Sequence, residues 1–133
     1  MKYLSELMED KQTLLFNKTK TFFAFSNEQL EEGKKKHNIK NTKLVSMGGG
    51  MICPKENAET LSQGLEKIYN DSILEDIKLH TINRIVLREL ANYECFYTGD
   101  ISDCVENLRD YPGISKKLIV KIFNKNYNKY NTY

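Results

Sequence analysis

Residues 82 to 97, INRIVLRELANYECFY, repeat apolar side chains at helical spacing, and no other feature constrains the chain more. Counted at about 100° per residue from Glu89, the residues Ile82, Ile85, Val86, Leu90, Tyr93, Phe96 and Tyr97 share one arc. Such an arc must face a core, so the segment has to pack as helix against other elements. Glu89 falls inside the same arc. An unpaired carboxylate there would be driven toward its neutral form or would destabilise the fold, so it needs a partner. One reading makes Glu89 a general base helped by Tyr93, Tyr97 or Glu94. The other makes it an acceptor for a backbone amide or a tyrosine hydroxyl, and this structural reading is the expectation. Asn92, Tyr97, Gly99 and Asp100 belong to the same structural motif, Gly99 as a helix C-cap and Asp100 as the N-cap of the next helix.

The remaining elements follow from local pattern. Leu4, Leu7, Met8, Leu14 and Leu15 predict an amphipathic helix over residues 3–16. Phe22 to Phe25 reads as a short strand buried on both faces. Ser26 and Gln29 form an S-x-x-Q capping pattern that opens a helix through NEQLEEGKKK. KLVSMGGGMICP reads as two strands around glycines 48 to 50, which tolerate the positive φ of a turn. A helix carries Ala58, Leu61, Leu65 and Ile68. Two more occupy residues 72 to 97, with a break near His80 to Thr81. A short helix follows Asp100, and Ser115 opens a last one containing Leu118, Ile119, Ile122 and Phe123. The expected fold class is α+β, a single compact domain over residues 1–125. It is mostly helical, with a small three-stranded sheet, and 126–133 form a frayed basic and aromatic tail.

With 133 residues and 40% hydrophobic content, the chain is long enough to enclose one core. No apolar run approaches the roughly 20 residues of a membrane helix. Glu6, Glu9 and Asp10 near the N-terminus argue against a signal peptide, so a cytoplasmic location is expected. Cys53, Cys95 and Cys104 lack C-x-x-C spacing and are expected to be free, buried or half-buried thiols. His37 and His80 are far apart in the sequence, which gives a nucleophile–histidine pair little support. No catalytic residue, metal ligand or cofactor is assigned. A small hydrolase centred on Glu89 and Asp100, with Glu94 and Tyr97, stands as an alternative.

Net charge is only +2, yet residues 33–55 hold six lysines and no acid. Residues 56–110 carry twelve acids against five bases, and the segment from Tyr111 onward holds five lysines and no acid. Lysine is abundant in the chain as a whole, so the positions of the lysines carry more weight than their number. Lys34, Lys35 and Lys36 make one basic cluster. Lys116, Lys117, Lys121 and Lys125 make another, interleaved with aromatics that include Tyr127. Lysines gain from counterion release on phosphate, and aromatics stack unpaired bases, so these residues are the candidate nucleic-acid or partner contacts. A nucleic-acid-binding regulator is a further alternative.

FFAFSNEQLEEGKKK, LVSMGGGMICPKENAETL and RELANYECFYTGDISDCVENL together resemble a family of small proteins from bacteriophages and mobile elements of Bacteroidetes. The shared pattern lies on Phe22 to Gln29, Gly48 to Gly50, Glu89 to Asn92 with Glu94, and Tyr97 to Asp100. The chain carries Tyr93 where the family pattern has histidine, so no role resting on that imidazole transfers to it. The resemblance implies an accessory protein that inhibits a host defence machine without catalysis. One candidate similar in size, charge and source is an anti-CRISPR acting on a type VI-B RNA-guided effector, through the effector protein, its guide RNA or both. Its oligomeric state is left open.

Overall fold

The computed structural model describes residues 1–131, with side chains through Lys129. The fold is α+β, mostly helical with a small three-stranded antiparallel sheet. The elements are α1 (Leu4–Thr19), β1 (Phe22–Phe23), α2 (Asn27–Lys36), β2 (Leu44–Gly48) and β3 (Met51–Pro54). They continue as α3 (Ala58–His80), α4 (Ile82–Asn92), α5 (Cys95–Thr98), α6 (Ser102–Asn107) and α7 (Lys116–Asn131). The backbone gathers into two compact units, residues 2–72 and the chain from Ile73 onward, and α3 runs through both. No helix among the described residues is long and apolar enough to cross a membrane.

In the first unit α1 stops where Lys20 adopts left-handed geometry (φ 55°). The chain then enters β1, which pairs antiparallel with β3, placing Phe22 opposite Ile52. β3 also pairs with β2, so the strand order is β1-β3-β2. Gly49 and Gly50 connect β2 to β3 at φ 59° and 80°, the two positive values that a two-residue type I′ hairpin requires. Ser26 caps α2 by accepting from the amide of Gln29 at 3.2 Å. The Gln29 side chain reaches back to the amide of Phe25 at 2.7 Å, one residue before the cap. The strand expected to be buried on both faces is not. Phe22 is buried at 7% exposure, but Phe23 and Phe25 are 48% and 76% exposed. A two-residue strand at a sheet edge keeps the ordinary alternation of faces.

In the second unit α4 and α5 pack on each other and on α7, and α6 packs on α4. Ile85, Val86, Leu90, Cys95, Phe96, Leu108, Ile119 and Ile122 are buried here. Phe96 stacks on Phe123, with ring centroids 5.3 Å apart. All three cysteines of the chain are free and buried.

Three further expectations change. The helix through Ile68 and the one expected from residue 72 are a single helix, α3. Extending a formed helix across Asn70 to Ser72 costs less than nucleating a second. The arc through Tyr97 is interrupted at Glu94, which is left-handed (φ 55°), so α5 is not a continuation of α4. Tyr97 is therefore 86% exposed, although on an uninterrupted helix it would share the buried face. Finally, the stretch expected as a frayed tail continues as helix to Asn131. Thr132 and Tyr133 lie outside the described residues.

Candidate functional site

The second unit buries a set of charged side chains that the apolar arc only partly announced. Asp76 sits on α3 with no exposure, one helical turn before His80. Arg88 and Glu89 follow on α4 at 8% and 3% exposure. The Arg88 guanidinium donates from Nη1 and Nη2 to the two carboxylate oxygens of Asp76, both at 2.8 Å. Its Nε donates to Glu89 Oε1 at 2.8 Å. The other Glu89 oxygen accepts from Asn107 Nδ2, at the end of α6, at 3.0 Å. Asp76 accepts two further bonds, from His80 Nδ1 at 2.7 Å and from the Tyr111 hydroxyl at 2.5 Å.

The sequence made Glu89 legible but misassigned its partner: it pairs with Arg88 and Asn107 instead of a backbone amide or a tyrosine. Arg88 lies off the apolar arc, and its fork bridges two carboxylates from two helices, a geometry lysine cannot supply. Asp76 carries a signal of the same kind as Glu89, an acid between Ile73 and Ile77 on the inward stripe of α3.

The electrostatics follow from this packing. Burial alone would raise the pKa of Asp76, but hydrogen bonds from Arg88, Tyr111 and His80 outweigh it and hold the carboxyl below its ordinary value. Burial would likewise lower the pKa of Arg88, yet its two carboxylates raise it. Burial pushes the Tyr111 hydroxyl up, and the adjacent Asp76 carboxylate reinforces the shift. Buried charges persist only when paired and saturated with hydrogen bonds, and Asp76 accepts four. A carboxylate so engaged ties α3, α4 and Tyr111 together.

The other members of the expected motif face outward. Asp100 is exposed and accepts at Oδ1 from the amide and hydroxyl of Ser102, at 2.9 and 2.5 Å. These bonds lower its pKa. It closes the first turn of α6 from two residues before the helix, whereas the formal N-cap is Ile101. Gly99 ends α5 at φ 79°. Asn92 ends α4 and is exposed. Glu89 thus faces the interior, while Asp100, Tyr97 and Asn92 face solvent.

The lysine clusters take different forms. In the first unit Lys34 and Lys35, in the last turn of α2, line a hollow of about 490 Å³ together with Glu31, Asn38, Ile39, Lys40 and Asn41. The macrodipole favours cations at this end of a helix. Asn38 and Asn41 are both left-handed (φ 55° and 53°), which curls the chain after α2 so that Lys40 joins the rim. Glu31 pairs with Lys34 at 3.5 Å. Lys36 falls on the opposite side of α2. In the second unit Lys117, Lys121 and Lys125 recur every fourth residue, forming one exposed row on α7. Lys116 is exposed but off that row. Tyr127 is also off it, set edge-on to Phe123 at 5.4 Å. Lys40, Asn38 and Asn41 were missed in the sequence because the hollow depends on two left-handed residues that no motif marks.

Residues 4–131 match the model of DUF7659, a family of unknown function, and the chain belongs to that family. No curated protein and no solved structure matches it.

Proposed function

We propose that this member of the family is a binding protein that engages RNA phosphates, and that it inhibits a type VI-B RNA-guided defence effector by occupying its guide RNA. The observation that carries the binding reading is the concave site on which Lys34, Lys35 and Lys40 converge. Three ammonium groups around a hollow with one acid favour a polyanion, and each phosphate contact gains from release of condensed counterions. The asparagine side chains at the rim add neutral donors for phosphate or ribose oxygens. The choice of effector rests on the mobile-element resemblance, which supplies the biological setting that geometry does not.

The test has two stages. Purified protein is titrated against labelled guide RNA over a salt series, alongside a Lys34→Glu, Lys35→Glu, Lys40→Glu variant. Binding should weaken and the salt slope flatten, by about 0.7 for each lost contact on a single strand. Unchanged binding would remove the hollow from the interface. In the second stage, co-expression with a type VI-B effector and guide should spare the target transcript at near-stoichiometric protein, while free RNA stays intact. RNA binding without any effect on immunity would move the reading to a nucleic-acid-binding regulator. RNA cleavage by trace protein would overturn the non-catalytic reading.

A further inference from the structure

On the side of α2 away from Lys34 and Lys35, a second hollow of about 330 Å³ opens between the helix and β1. Its volume is near the lower end of the roughly 300–1,000 Å³ range of small-ligand pockets. Phe22 and Phe23 line it. Phe22 is buried and stacks on His37, with centroids 5.8 Å apart and ring planes within 19°. Phe23 is half exposed, held edge-on to Phe16 at 5.6 Å. Asn17, Gln29, Glu32 and Lys36 contribute polar ends to the same lining.

Among the described residues, the side chains of Asn17, Glu32 and Lys36 make no hydrogen bond or ion pair. Gln29 spends its oxygen on the Phe25 amide and keeps its amino group as a donor. Burial, with Lys36 and Lys20 nearby, lowers the pKa of His37, so near neutral pH its ring is an uncharged stacking surface. An aromatic face, amide and carboxylate groups able to meet ring nitrogens and exocyclic amines, and one ammonium together match a base with its phosphate.

We propose that this hollow binds one unpaired nucleobase, stacked on Phe23, with its edge met by Asn17, Gln29 and Glu32 and its phosphate by Lys36. The nucleobase comes either from a single strand of RNA or from a free nucleotide. In the strand it deepens the RNA-binding reading above and rests on it.

The experiment compares a labelled single-stranded RNA, its blunt duplex and AMP, each titrated against the full chain. Single-stranded RNA should bind at least about tenfold more tightly than duplex. Phe23→Ala should remove about tenfold of affinity, whereas Phe23→Tyr, which keeps the ring, should retain it. Lys36→Glu, at an exposed position outside the core, should weaken single-strand binding and serves as the check if Phe23→Ala misfolds. Saturable AMP binding that Phe23→Ala abolishes would support the hollow with a mononucleotide as its source. Equal binding of single strand and duplex, insensitive to Phe23 and Lys36 but sensitive to Lys34, Lys35 and Lys40, would overturn the base site and leave the RNA reading intact. Failure of all RNA to bind would instead sink the RNA reading.

Discussion

Arg88 is the residue on which the buried charges depend, because its guanidinium serves Asp76 and Glu89 at once. Arg88→Met keeps much of the stem but strands two carboxylates, so it should cost about 3–5 kcal/mol. Glu89→Gln should be milder than Glu89→Leu. The glutamine keeps an oxygen for Arg88 Nε, and Asn107 can turn its amide to accept from the new amino group. The leucine leaves both donors unpaired, at about 1–3 kcal/mol. Urea midpoints at constant slope would rank the three, and equal costs for Gln and Leu would contradict the pairing. Because Asp76 has its pKa depressed on folding, its contribution is present above the unfolded carboxyl value of about 4 and is lost as pH falls through the folded value. Stability should therefore decline below about pH 4, and Asp76→Asn should flatten that acid limb while lowering stability at neutral pH. Glu89 was legible in the sequence because helical periodicity fixes which face it shares. Its partners were not, since Asp76 and Asn107 reach Arg88 and Glu89 only after α3, α4 and α6 have packed.

At the scale of elements, what depends on a few consecutive residues was readable, and what depends on packing was not. The Ser26 cap and the glycine hairpin are local chemistry and stand where the pattern put them. The continuity of α3 and the turn at Glu94 are decided by competition between whole segments. Gly33 shows how misleading local propensity is here. In the interior of α2 a glycine costs about 1 kcal/mol relative to alanine, so Gly33→Ala should stabilise if propensity ruled. A Cβ at this position would, however, lie 2.1 Å from the Phe22 ring. Phe22 is buried and stacked on His37, so its ring cannot give way without disturbing that contact. Gly33→Ala should therefore destabilise by about 1–3 kcal/mol through overpacking. Thermal or urea unfolding decides the sign, and a stabilised variant would mean that the α2–β1 contact yields easily.

At the scale of the whole molecule, a net charge of +2 gives little long-range attraction for a polyanion, so the proposed RNA binding depends on where the lysines lie. Local concentration rather than total charge is what the salt dependence of binding measures. The row Lys117, Lys121 and Lys125 on α7 is a second candidate beside the hollow at Lys34, Lys35 and Lys40, and the two are separable by titration. All three lysines of the row are exposed, so reversing them to glutamate should leave the unfolding midpoint nearly unchanged. If the row lies on the RNA, the logarithmic salt slope should fall by about 2 for three contacts to a single strand. If it is a solvated helix face, reversal should weaken binding only at low ionic strength, because beyond a Debye length of about 8 Å at physiological salt a distant charge is screened. A slope unchanged above that salt concentration, with affinity recovering toward the parent protein, would take α7 out of the proposed interface and leave the hollow at Lys34, Lys35 and Lys40 as the remaining candidate.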